Sequence, residues 1–423
     1  MRRLVLLALL ATLAPVRAEA QAVRAEARDA ALAKAFRYLD EELWKLQEGG
    51  SPRRQYTMAV AGWAYLLAAD KARPGKKLPA RKRQIDRIFK ELVRYTERVA
   101  RLYDKDEKRK KKNKAPPAPG GFQAMRTSQY VWPLSVAAHF FAESAARGKR
   151  KGEARKALKA IAKVLAAAQQ ENGGWGHDDA ARPGMGLPPI RIPKPGGGDL
   201  TYPATLLAAS HCALSALGVA HRTLKTKRTP ALQKGRDYFA QAQNGNGSFP
   251  YDPSQKHAGQ ITAQMAGGIE TARTAGAVFA LFCAGAPRDD AVVVAGLKAV
   301  DAHFEFMSEG HGSATMALQF GALLSRGRGS RAWAVFRRVF LPRILAHQEP
   351  SGAFTCVCTA NSMAVTCDTR ELPGLPAAAA ADWTKGGKVY VTAIHALILL
   401  LDRTPTRALP EMPDLAGPVT GPR

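Results

Sequence analysis

A chain of 423 residues with 46% apolar side chains is ordinary for a globular protein, and long enough for one large repeat domain or two ordinary ones. With 63 basic against 35 acidic residues the net charge is +28, which makes polyanion binding a reading to weigh. At 7% aromatic content, a dry cavity walled by rings is disfavoured. The chain opens with Met1-Arg2-Arg3, an apolar run from Leu4 to Leu13 and Ala18-Glu19-Ala20 before Gln21. A basic start, a short apolar core and a small-x-small site predict a signal peptide over 1–20 and export to the periplasm or medium. No later segment is apolar for long enough to span a bilayer.

Amphipathic and more uniformly apolar segments then alternate. Arg28 to Gln47 carries Leu32, Phe36, Leu39 and Leu43 on one helical face, and the first apolar partner opens at Tyr56. Ile85, Ile88, Phe89, Leu92 and Val99 mark the next amphipathic helix. A basic Lys/Pro-rich insertion (104–121) leads to the apolar Tyr130 to Phe141. Leu158, Ile161 and Leu165 pair with Thr205 to Leu217, and Ala231 to Gln243 with Glu270 to Ala284. Ala291 to Phe304 pairs with Ser313 to Leu324. Trp333, Phe336, Phe340 and Ile344 pair with Val389 to Leu401. A helix apolar on nearly all faces is covered on both sides, and one with a single stripe covers it. Six such pairs predict an all-α, (α/α)6 toroid over 28–402, favoured over an open solenoid. Strand is expected only as short hairpin pieces near Ala353 to Thr366. Residues 403–423, rich in Pro and Gly, read as a disordered tail. Five apolar members carry a Thr near their start: Thr57, Thr205, Thr274, Thr315 and Thr392.

Three of the amphipathic segments end in Q-x-x-x-G-x-[W/F]: Gln169, Gly173, Trp175; then Gln243, Gly247, Phe249; then Gln348, Gly352, Phe354. Lys234-Gly235, Tyr238 and Phe239 extend the second copy upstream. This resembles the QW repeat of the squalene cyclase and protein prenyltransferase superfamily, and implies a terpenoid cyclase-like α/α architecture. The role of the motif is stapling. Gln ends the helix, Gly allows a positive-φ turn, and the aromatic packs back between hairpins.

The resemblance does not carry its chemistry across. Squalene-type cyclases protonate a double bond from D-x-D-D, and only Asp178-Asp179 and Asp289-Asp290 pairs occur here. Prenyltransferase β subunits hold zinc with Asp-x-Cys and a His after a Tyr. Here the order is Cys367-Asp368, and Val391 follows Tyr390.

In a toroid the pocket lies where the loops before the inner helices gather. The catalytic candidates there are Asp178, Asp252, Glu270 and Asp382, and the ligand-binding candidates His177, Tyr251, Arg273, His311, Trp383 and Tyr390. Each also has a structural reading. Glu270 suits an N-terminal dipole partner with Arg273 a turn on. His139, His211 and His395 lie in apolar helices, where a satisfied core histidine is the commoner case.

Cys212 and Cys283 sit in apolar stretches, while Cys356, Cys358 and Cys367 form C-x-C-x8-C. In an exported chain, disulfide or free thiols is the favoured reading, with Cys358–Cys367 the easier bridge. A zinc site completed by Asp368 or a loop histidine is the alternative. Basic clusters at Lys105 to Lys114, Arg147 to Lys151, and Arg326, Arg328 and Arg331 read as solvated loops ahead of a polyanionic surface, without the interleaved aromatics that stack bases. The expectation is thus a monomeric exported toroid without cofactor that binds a small molecule, lipid or glycan. A glycan-active lyase or hydrolase and a cyclase-like enzyme with a shifted acid are the alternatives.

Overall fold

The computed structural model describes residues 25–46, 52–70, 81–111, 128–176, 190–193, 199–202, 205–227, 229–251, 263–308, 313–357, 377–410 and 412. Among them the chain is all-α, with twelve α-helices. These are α1 (25–42), α2 (Pro52–Ala68), α3 (Lys82–Lys111), α4 (Ser128–Ala146), α5 (Lys151–Ala168), α6 (Leu207–Leu224), α7 (Pro230–Ala242), α8 (Ala263–Cys283), α9 (Ala291–Ala302), α10 (Ala314–Gly327), α11 (Ser330–Ala346) and α12 (Ala377–Leu401). The expected signal segment and residues 413–423 lie outside the described residues. None of the described helices is long and apolar enough to cross a membrane.

Several boundaries differ from the sequence reading. Helix α8 begins at Ala263 and α12 at Ala377, so Glu270 and Asp382 lie inside helices and not in mouth loops. A dipole role for Glu270 is thereby overturned, since that effect fades within the first turn. Thr205 precedes its helix. The basic insertion starts inside α3, which continues to Lys111. An antiparallel hairpin pairs β1 (Ile190–Pro193) with β2 (Asp199–Tyr202), away from the expected site. Of 353–366, only 353–357 are described, and there Phe354 makes an isolated bridge to Gln348.

The alternation in sequence becomes two kinds of burial. Helix α4 is buried almost continuously from Val131 to Ala145, whereas α3 buries Ile88, Phe89, Leu92 and Val99 on one stripe. Each even-numbered helix packs on the even-numbered helices before and after it, and α12 packs back onto α2. Contacts also cross this circuit. Tyr56 of α2 donates to Gln319 of α10 (3.0 Å), His139 of α4 meets the Phe279 ring of α8 (6.0 Å), and His211 of α6 meets Phe320 of α10 (4.5 Å).

The three Gln–Gly–aromatic turns repeat one set of bonds. Gln169 Nε2 donates to the carbonyls of Gly173 and Ala231 (both 2.9 Å), Gln243 Nε2 to Gly247 (3.0 Å) and Val292 (2.8 Å), and Gln348 Nε2 to Gly352 (3.2 Å) and Ala31 (2.8 Å). Each glutamine therefore ties its own turn to another odd-numbered helix, at the first turn of α7 and of α9 and at the second turn of α1. The glycines sit at φ of 88°, 85° and 93°, and a methyl on any of them would run into the carbonyl of Lys234, Ala295 or Lys34. The aromatics are fully buried, and their backbone N–H groups donate to Ser210 (2.9 Å), Thr274 (3.0 Å) and Thr392 (2.8 Å). The third turn seats on α1. Beside it, Arg28 pairs with Asp402 (2.6 Å) and Arg403 with Asp29 (3.2 Å), so the two ends of the described chain meet.

The disordered tail expected from 403 is corrected over 403–410 and at Met412. Thr404, Ala408 and Met412 are buried. The backbone N–H groups of Arg407 and Ala408 donate to the fully buried Glu143 carboxylate (3.0 and 3.1 Å), which also accepts Arg147 Nε (2.6 Å). Arg147 binds Asp70 and donates to the Pro405 carbonyl, Arg222 donates to Ala408, and Met412 N–H donates to Gly327. The segment thus runs across the C-terminal ends of α2, α4, α6 and α10. Composition misled here because backbone bonds to one carboxylate order it. Glu143→Gln is expected to cost about 2 kcal/mol, the worth of hydrogen bonds to a charged group, and to open Arg403 and Arg407 to trypsin. Limited proteolysis checks this, and an unchanged digest would contradict the tail's anchorage.

Candidate functional site

The even-numbered helices place two levels of side chains inside their circuit. The deeper level is a plug. Trp63 stacks on His139 (5.4 Å, 2°), His139 Nε2 meets Ser215 Oγ (3.1 Å), and Phe279 and Phe320 fill the centre (5.7 Å). The plug forms because α2, α4, α8 and α10 each bring one ring from a buried run into contact, stacked or tilted against the next, while α6 brings Ser215.

Above it lies a polar level, drawn from the early turns of α2, α6 and α10 and from the middle of α8 and α12. Tyr56 holds Gln319 by its hydroxyl and packs on the Tyr390 ring (5.5 Å). The Tyr390 hydroxyl meets Ser313 Oγ (3.0 Å), and Ser313 caps α10 by accepting from Met316 N–H (3.1 Å). Arg273 is buried, donates to the Phe249 carbonyl (3.4 Å) and lies over the Tyr251 ring (5.7 Å). His211 sits beside Gly276, where a methyl would meet the imidazole at 2.7 Å. Both its ring nitrogens are buried and without a hydrogen-bond partner among the described residues. Burial first, and the Arg273 charge second, push its pKa down to about 3; burial, with Arg222, does the same to His139. Both imidazoles are therefore neutral at pH 7. At that pH they can accept or donate a hydrogen bond but supply no charge.

Of the sequence candidates, Tyr251 and Arg273 are brought together, and Tyr390 joins Tyr56, Gln319 and Ser313. His177, Asp178, Asp252 and His311 lie outside the described residues. Glu270, Asp382 and Trp383 have described backbones in α8 and α12, but their side chains lie outside the description. Cys356 is buried and its sulfur receives the Thr315 hydroxyl (3.6 Å), while Cys358, Cys367 and Asp368 are outside the described residues. Among the described residues no His, Cys, Asp or Glu cluster has the make-up of a metal site. Two arginines of the basic clusters are committed inward, Arg147 as above and Arg328 to Asp301 (2.7 and 2.8 Å).

Sequence reasoning missed Gln319, Ser313 and Tyr56 as site residues. The available signal was an amide inside an otherwise apolar stretch, since a buried amide needs a partner. Comparison with family models, with curated proteins and with solved structures returned no match.

Proposed function

We propose that the chain is an exported α/α toroid of six helical hairpins, similar in its repeats to the squalene cyclase and prenyltransferase superfamily but without their catalytic motifs. It binds a small molecule, lipid or glycan at the end where the inner helices begin. One observation carries this reading. Inside the circuit, above a packed aromatic plug, Tyr56, Gln319, Tyr390 and Arg273 surround the centre together with an imidazole, His211, whose nitrogens lack described partners. A buried donor or acceptor left unpaired in the protein is a group a ligand can satisfy. The C-terminal segment across the far end directs entry to the polar end.

The second reading, a glycan-active (α/α)6 enzyme, draws on Arg273 beside Tyr251 and on the Tyr56–Tyr390 pair, residue types suited to holding a sugar and its acidic group. Thermal-shift titration of the chain with a C15 isoprenoid alcohol, phospholipid vesicles and an oligouronide separates these. Saturable binding of one probe, weakened in Tyr390→Phe and His211→Phe, is the expected result. Cleavage of the oligouronide moves the assignment to the second reading, and no binding of any probe sinks the first.

A further inference from the structure

The shared bonds of the three turns put their odd-numbered helices in one register. Gln169, Gln243 and Gln348 reach Ala231, Val292 and Ala31, and Gly173, Gly247 and Gly352 press on Lys234, Ala295 and Lys34. Counting on from these anchors, Tyr238 of α7, Ala299 of α9 and Tyr38 of α1 occupy equivalent places. Tyr238 is buried, with its ring against Gly174 and edge-on to Phe239 (5.5 Å). Tyr38 is half-buried, and its hydroxyl pKa is pushed up to about 12 by burial and then by Glu42 and Glu349. At the second turn Ala299 puts no ring in this place, and a cavity of about 300 Å³ lies there, lined by Ala299 and Ala302 among others.

That cavity is also more polar than its equivalents. Ser248 stands where the other turns have Gly174 and Ala353. Thr271, three residues before the hydroxyl that holds the aromatic N–H, stands where they have Leu207 and Val389. Both Ser248 and Thr271 line the cavity, and Lys298 and His303 stand exposed at its rim. A ring-sized apolar void stays dry, but one walled by hydroxyls takes water or a polar ligand. Here the slot has lost its tyrosine and gained hydrogen-bonding groups and a cation together, and 300 Å³ reaches the lower end of ligand-pocket sizes.

We propose that this slot between the second turn and α9 is a binding site for a single-ring aromatic carboxylate. The ring takes the place tyrosine fills in the other two turns, against Ala299. Its hydroxyl donates to the Ser248 oxygen, whose own proton is already given to Asn246 (2.7 Å) and which also receives the Asn244 amide (3.1 Å). Its edge lies beside Thr271, and its carboxylate faces Lys298. The site is on the odd-helix side of the fold, apart from the polar level inside the circuit, and does not depend on the function proposed there.

Isothermal titration of the full chain with 4-hydroxybenzoate tests it. One saturable site is expected. Ala299→Tyr, which restores the ring of the other turns, removes that site while leaving the thermal midpoint no lower and the binding of the mouth probe unchanged, so failures of the two readings are distinguishable. Thr271→Leu, the residue type of the first turn, also weakens binding should the tyrosine variant fail to fold. Lys298→Gln weakens it roughly threefold, as loss of an exposed charge partner does. No saturable binding at millimolar probe, binding unchanged in both Ala299→Tyr and Thr271→Leu, or preference for glucuronate over the aromatic acid overturns the assignment.

Discussion

Replacing Trp175 by alanine is expected to lower the unfolding free energy by about 3–5 kcal/mol, the range for truncating a large core aromatic. The indole is fully buried, and its Nε1–H donates to the Leu165 carbonyl (2.8 Å) at the end of α5. Its backbone N–H donates to Ser210, and the six-membered edge of its ring lies opposite Gly235 of α7. The side chain thus joins the end of one odd-numbered helix to the middle of the next, while the backbone of the same residue holds the start of an even one. Truncation leaves a void at a three-helix junction, where no single element can collapse to fill it. Trp175→Phe keeps most of the contact and loses the N–H bond, so about 1–2 kcal/mol is expected. Urea denaturation measures both. An unshifted midpoint for the alanine variant would show that the ring contributes no staple.

This prediction was legible in the sequence because Gln169, Gly173 and Trp175 recur as a set. The alternation of stripe and run likewise located all twelve helices, since burial on one side or two leaves a compositional trace. What was not legible has local causes. Helices α8 and α12 start one or more turns early, through Gln264 and Glu270 or Asp382 and Lys385, where polar residues at a helix start look the same as loop. The shared hydroxyl acceptor was half visible. Thr274 and Thr392 stood out, but the first turn uses Ser210 while Thr205 receives the Asn172 amide (3.1 Å) instead. The polar level inside the circuit could not be assembled because Tyr56 and Gln319 are separated by 263 residues, and periodicity carries no information about which residues meet across a circuit of helices. The emptied slot at Ala299 became visible only when bonds, not sequence, set the register among α1, α7 and α9.

Acidification is expected to unfold the chain between about pH 6 and pH 4, before most carboxylates are protonated. Three histidines, His139, His211 and His395, are buried, and burial is the first cause of the fall of each pKa to about 3, with Arg222, Arg273 and His347 as the respective second causes. His395 also packs edge-on to Phe354 of the third turn (5.4 Å), so protonation there acts on the junction with α1. In the unfolded chain each titrates near its ordinary value of about 6.5. A folded pKa below the unfolded one means the unfolded state binds more protons between the two values. The stability these groups contribute is therefore complete above about pH 6.5 and is lost progressively as pH falls toward about 3. Each removes about 1.4 kcal/mol per pH unit in that window, and the three together about 4. Two pH units then consume about 8 kcal/mol, comparable with the whole stability of an ordinary domain. Urea midpoints measured at pH 7, 6, 5 and 4 should fall steeply, and a single substitution such as His395→Leu should flatten the dependence by about one third, because one of three titrating groups is gone. A midpoint that stays level from pH 7 to pH 4 would mean that the imidazoles reach solvent or an acidic partner, and would refute their burial as neutral groups.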